Sequence, residues 1–301
     1  MAAFLAPALS QGQDINHVLG KSPRKSRLVL LGTKGGPTPS RFRAPASSLL
    51  VVGEDAYVID CPDGVAGRLV QAGVDLAKLQ NIFISHHHSD HVAGLGALLV
   101  LAWGSDLQTP LTVHGPPPLK RVLDAQIAAN AYDIEVRIRE EGRPPLAPLI
   151  SGRTLSRPGM ILETPNVQVH CAFGDHYTVP SIAFRFDTPD RSIVFSGDTR
   201  PSENLIELAK GADVLVHEVM LTSALTQIAS GNAPALLDHL RRSHTTTEEL
   251  GRVAAAAGVK TVVLSHLVPG GIPSISDEMW LEGVRRHFRG EIIVGRDMME
   301  I

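Results

Sequence analysis

Ser85-His86-His87-His88-Ser89-Asp90-His91 gathers four histidines and an aspartate into one short run. It follows the apolar Ile82-Phe83-Ile84, which reads as a buried strand, and precedes Val92–Val100, which reads as an apolar helix. The cluster therefore sits on a strand-to-helix turn. His86 and His88, two apart, project to the same side of extended backbone, whereas Asp90 and His91 open the helix and point elsewhere. Neutral imidazole and carboxylate suit zinc, and also iron or manganese, so the turn offers two half-sites for metal. An expression tag does not explain the run, because tags are homopolymeric and terminal and this one is internal, between core-like segments.

The 301 residues suit one large domain or two small ones, and 44% hydrophobic content is ample for a core. A net charge of -3 gives no sign of a nucleic-acid-binding chain and counts against a nuclease, although a local basic patch can hide in such a total. Cys61 and Cys171 exclude a disulfide framework and read as buried free thiols. No apolar stretch reaches the ~20 residues that span a bilayer, so no membrane partner is expected. Met1–Gln13 is apolar but lacks the basic region of a signal peptide, which leaves localisation open between cytoplasm and periplasm.

Residues 1–27 read as an arm ending in Lys21, Arg24, Lys25 and Arg27, and residues 28–301 as one domain. Short apolar runs predict strands at Leu28–Leu31, Leu49–Val52, Tyr57–Ile59 and Leu111–Val113 in the first half. The second half repeats the rhythm at Val167–Phe173, Ser181–Phe186, Ser192–Phe195, Val214–Val216, Thr261–Leu264 and Ile292–Val294. Helices are expected over Val65–Ala72, Leu119–Ala129, Pro201–Lys210 and residues 276–289, and Thr245 with Glu248 has the spacing of a capping box. Gly32–Pro37 is a turn without the Gly-Lys-Ser/Thr of a phosphate loop. Residues 130–160, rich in proline, arginine and glutamate, read as an irregular, solvated excursion rather than a cap over the site. Asp60, His86, His88, Asp198, Glu218 and His266 all fall at strand ends, where α/β proteins build sites.

With these residues in view, the sequence resembles the metallo-β-lactamase superfamily over about residues 28–301. The resemblance implies an α/β fold, an αββα sandwich of two mixed β-sheets flanked by helices. It also implies two metal ions per chain, zinc with manganese or iron as alternatives. His86, His88 and His176 would hold one ion, Asp90, His91 and His266 the other, and Asp198 would bridge them. Asp60 would orient the histidines. Leu31-Gly32-Thr33, Pro110–Pro116, Val216-His217-Glu218 and Ser243-His244-Thr245-Thr246 are most similar to the tRNase Z and arylsulfatase-like branch. There Glu218 and His244 would form a pair that protonates the leaving group, and a homodimer is expected; the bland alternative for His244 is a helix cap. His114 and His217 read as structural, His87 as facing solvent or the fold, His239 as carrying no signal, and Lys34, Arg41 and Arg43 as surface charge.

Two departures bear on substrate. Asp60-Cys61-Pro62 stands where the branch has Asp-Cys-Gly, and only residues 177–197 separate His176 from Asp198, leaving no room for the arm with which tRNase Z clamps tRNA. The resemblance therefore implies hydrolysis by a metal-bridging hydroxide, with Asp90, His244 and Glu218 as catalytic residues. A small-molecule substrate (an ester, lactone, sulfate ester or phosphodiester) is expected, and nucleic acid is not. The alternatives are a tRNase Z-like endoribonuclease, a β-lactamase or a hydrolytic dehalogenase. A di-iron redox protein lacks room for a partner domain, and a metal-free scaffold would have lost ligands.

Overall fold

A computed structural model describes residues 25–107, 109–228 and 233–301, so most of the expected N-terminal arm lies outside the described residues. Among them, two seven-stranded sheets pack face to face. The first runs β14-β1-β2-β3-β4-β5-β6, with β1 at Arg27–Gly32, β2 at Ser47–Val52, β3 at Asp55–Ile59, β4 at Asn81–Phe83, β5 at Leu111–Gly115, β6 at Ile150–Thr154 and β14 at Met299–Glu300. The second runs β13-β12-β11-β10-β9-β8-β7, with β7 at Gly159–Glu163, β8 at Gln168–Phe173, β9 at Ile182–Asp187, β10 at Ser192–Phe195, β11 at Val214–Met220, β12 at Thr261–Val268 and β13 at Glu291–Val294. Both sheets are mixed. β14, β1, β2 and β3 pair antiparallel and β3 to β6 parallel; β7 to β10 pair antiparallel and β10 to β13 parallel.

The period of two along each strand explains the layers. Leu28 and Leu30 join Tyr57, Phe83, Phe184 and Phe186 in the core between the sheets, while Val29 and Leu31 face outward into a second core. That second core lies beneath helices α1 (Val65–Gln71), α3 (Leu95–Gly104) and α4 (Leu119–Ala129). Helices α6 (Glu203–Ala209), α8 (Thr247–Ala257) and α9 (Asp277–Arg285) cover the other sheet in the same way. Central strands buried on both faces read as continuous apolar runs, as Leu28–Leu31 does. Both cysteines are buried free thiols. No helix among the described residues is long and apolar enough to cross a membrane.

Two local expectations are corrected. Residues 130–160 are not irregular: they hold α5 (Ala131–Glu141), a 3-10 turn at Ala147–Leu149 and strand β6. The charges that suggested a loop are spaced for a helix, since Arg137 bridges Asp133 and Glu141, four residues to either side. The capping box of α8 is Thr246 with Glu249, one residue later than expected. Thr245 is unavailable because its hydroxyl donates to the Thr199 carbonyl, 2.6 Å away.

Candidate metal centre

The chemistry gathers where the parallel strands end. β3 delivers Asp60, β4 runs into Ser85 and His86, β10 leads to Asp198, and β11 and β12 carry Glu218 and His266. The short helix α2 (Ser89–Val92) begins at His88, whose backbone is extended, so His86 and His88 leave the turn before Asp90 and His91 enter the helix. His176 follows β8 and His244 precedes α8. Asp60 and His266 take left-handed backbone (φ 64° and 41°), uncommon outside glycine and clustered at functional sites. Gly197 (φ 59°) has no alternative: a Cβ there would lie 2.9 Å from both the Ile182 carbonyl oxygen and the Ser85 Cβ.

Every expected ligand residue arrives at one place. His86 Nε2 lies 3.0 Å from His88 Nδ1, which lies 3.2 Å from His176 Nε2. His266 Nε2 lies 3.3 Å from both Asp90 Oδ2 and Asp198 Oδ2, and His91 Nε2 is 3.6 and 3.5 Å from the same two oxygens. Asp198 Oδ2 is also 3.7 Å from His86 Nε2, so one carboxylate touches both groups.

The surroundings fix which nitrogens face inward. Asp60 accepts the Ser85 backbone N–H and hydroxyl at 2.7 and 2.8 Å and the His91 Nδ1–H at 2.8 Å, which turns His91 Nε2 toward the cluster. His86 Nδ1–H donates to Ser85 Oγ (3.0 Å) and His176 Nδ1–H to the Ser243 carbonyl (2.9 Å). His86 Nε2, His88 Nδ1 and His176 Nε2 therefore converge within about a hydrogen-bond length, the arrangement of three imidazole nitrogens around a cation. His91 Nε2 and Asp198 Oδ1 are buried without hydrogen-bond partners, which a cation would also remedy. This donor set fits divalent metal.

Electrostatics divide the cluster: burial opposes a charge on His91, but Asp198 and Asp60 raise it well above the usual imidazole range. Burial, then the neighbouring His91, pushes His86 well below the usual imidazole range, and burial with His176 brings His88 to about 4, so both are neutral donors at neutral pH. Burial opposes ionisation of Asp198, but His266, His91 and His86 hold it well below the carboxylate range. His244 differs. Burial would discharge it, yet the Glu218 carboxylate, hydrogen-bonded to Nδ1 at 3.1 Å, raises it to about 9. Glu218 Oε1 is itself held by the backbone N–H groups of Thr199 and Thr245 at 3.1 and 3.2 Å. A helix-cap role for His244 does not match this, because Thr246 caps α8.

His114 stacks on Phe83 and bonds Asn81, His217 bonds the Glu218 carbonyl, and His87 Nε2 donates to the Pro116 carbonyl. Arg43 bonds Thr33 and the Gly295 carbonyl, away from the cluster. Two sequence readings missed their residues. His239, on α7 (Ala233–Ser243), has its ring centre 6.2 Å from those of His88, His176 and His244. Its spacing from Leu236 and Leu240, one helical face, was the available signal. Lys34 is not surface charge: it is 5% exposed and lines, with His88, Asp90, His244 and His266, a cavity of about 460 Å³.

Comparison with known proteins places this geometry in context. Residues 57–267 match the family model described as a beta-lactamase superfamily domain. A ribonuclease Z from Mycobacterium bovis is 34% identical over 278 residues, covering 91% of this chain and 97% of the relative. A ribonuclease Z from Mycobacterium tuberculosis is 33% identical over the same extent. Among solved structures, the metallo-beta-lactamase fold protein YhfI from Bacillus subtilis superposes with a TM-score of 0.66 at 19% identity, covering 93% of this chain and 99% of its own. Human tRNase Z, short form, gives 0.64 at 20%, covering 91% and 98%. The relatives' name overturns the expectation of a small-molecule substrate with nucleic acid unlikely. That expectation rested on the short stretch between His176 and Asp198, yet the relatives named ribonuclease Z align with this chain over 97% of their own length.

Proposed function

We propose that this chain, which belongs to the metallo-β-lactamase superfamily and is a metal-dependent hydrolase, is a ribonuclease Z-like endoribonuclease that cleaves a phosphodiester bond of tRNA. The observation that carries this reading is the 34% identity to a ribonuclease Z along nearly its whole length. The ions are assigned as two zinc, the metal that suits a histidine-dominated set with carboxylates.

In this reading His86, His88 and His176 would hold one ion and Asp90, His91 and His266 the other, with Asp198, whose Oδ2 is within reach of each group, shared between them. Bound there, the ions supply Lewis acidity and a water of lowered pKa. The chain does the rest. Asp60 and Ser85 fix the tautomers of His91 and His86, and the Ser243 carbonyl fixes that of His176. Asp90 Oδ2 and His266 Nε2, 3.3 Å apart, face the same ion position. His244, kept protonated by Glu218, gives its proton to the departing oxygen of the phosphodiester.

The test is incubation of metal-loaded protein with a tRNA transcript carrying extra nucleotides at its 3′ end. A single cut giving two discrete fragments, absent with His88→Ala, is expected. Intact RNA in the presence of metal-replete protein overturns the reading.

A further inference from the structure

Lys34 is a buried cation for which the hydrolytic machinery above has no use. It follows β1, and isolated bridges tie its backbone to Pro45 and Leu267. Its aliphatic stem passes beneath Gly270, where a Cβ would come within 2.9 Å of Lys34 Cγ. Its ammonium donates to the carbonyls of Gly35 and Gly36 at 2.9 and 2.8 Å. An ammonium has three protons, so one N–H is left for the cavity that Lys34 lines. Among the described residues no carboxylate forms an ion pair with it; Asp90 acts only through space, and burial works against the charge. A desolvated cation without an ion pair is costly. A neutral substrate would leave that cost standing, whereas an anionic one would replace the lost solvation.

We propose that Lys34 is the residue through which the cleft grips the anionic backbone of its substrate, its remaining N–H donating to a non-bridging phosphate oxygen of the RNA strand. This rests on the endoribonuclease reading for the strand's identity, but the anion contact itself does not. The same cavity supplies what a nucleotide adds to its phosphate: Leu236, Leu240, Val268 and Pro269 also line it.

The test compares metal-loaded wild type, Lys34→Met and Lys34→Gln on 3′-extended tRNA and on bis(p-nitrophenyl) phosphate. The methionine variant keeps the stem and loses the charge; its kcat/KM falls about 10- to 100-fold on both anions, the scale of one hydrogen bond to a charged group. Lys34→Gln, which keeps a neutral donor, falls less. The slope of log affinity for RNA against log salt becomes shallower by about 0.7, one phosphate contact on a single strand. Metal content and melting temperature do not fall. An unchanged kcat/KM, an unchanged salt slope, or a loss tracking metal content or melting temperature in both variants overturns the proposal and makes Lys34 a fastener of the Gly35–Gly36 turn. Wild type that ignores tRNA yet hydrolyses the small diester in a Lys34-dependent way refutes the RNA reading alone. Cleavage of tRNA that ignores Lys34 refutes the anion grip alone.

Discussion

Glu218→Gln removes one charge and almost no volume, which makes it the sharpest probe of the proposed acid. In the wild type, Glu218 outweighs burial and holds His244 at about 9. Without the carboxylate charge, burial remains and His244 falls to its ordinary 6.5 or below. At pH 7.5 the protonated fraction then drops from about 97% to about 9% or less, so kcat/KM on a phosphodiester falls roughly tenfold or more from population alone. At pH 5.5 the two enzymes differ much less. The assay is a pH profile of kcat/KM with constant metal loading: the alkaline limb of the variant lies well below that of the wild type. The same coupling contributes to stability with a defined sign. A raised folded-state pKa stabilises fully below 6.5, and that contribution, about 3 kcal/mol, disappears as pH rises through about 9. A variant whose activity falls equally at every pH, with its alkaline limb unmoved, would refute the role of Glu218 as the group that keeps His244 charged.

Three further outcomes are expected. His88→Ala removes a donor that faces both His86 and His176, so elemental analysis should find less metal per chain and phosphodiester turnover should drop at least 100-fold. Gly197→Ala places a Cβ against the Ile182 carbonyl in left-handed backbone and should lower stability in urea by about 1–3 kcal/mol, with Asp198 displaced and metal affinity reduced. Asp213, which accepts from Lys260 Nζ and from the Ser192 backbone and hydroxyl, is lowered to about 2 by these bonds. Its folded pKa is depressed, so its stabilisation is complete above pH 4 and fades as pH falls through about 2; discounted for partial exposure, Asp213→Asn costs about 1 kcal/mol at pH 7 by urea unfolding.

The parts of the site that were legible in the sequence are those whose geometry is local. His86, His88, Asp90 and His91 are separated by the backbone alternation of one turn, so sequence spacing is spatial spacing. Asp198, Glu218 and His266 were legible because a strand that ends on a polar residue must present it at the sheet edge. The misplaced capping box shows the limit. Thr245/Glu248 and Thr246/Glu249 have the same spacing, and the choice between them fell to a bond between Thr245 and Thr199, 46 residues apart. Helix α5 was misjudged for a different reason. Its charges were weighed as composition, although their spacing of four was helical information already present.

Substrate failed to emerge from the sequence because both arguments used for it were averages or absences. A net charge of -3 is a sum over the whole surface, and it says nothing of a cleft where one lysine is enclosed beneath Gly270. The burial of Lys34 is set by β12 and its following loop, more than 230 residues further along the chain, so no local pattern announces it. The short stretch between His176 and Asp198 bore on only one way of holding tRNA. Recognition of a polyanion needs positive charge with its solvation stripped away and a surface to receive the strand. Here the exposed His239, the buried Lys34 and His244, which Glu218 holds from behind, stand around one cavity although they come from distant parts of the chain. A site assembled in this way fixes its chemistry in one turn of sequence and its substrate in tertiary contacts.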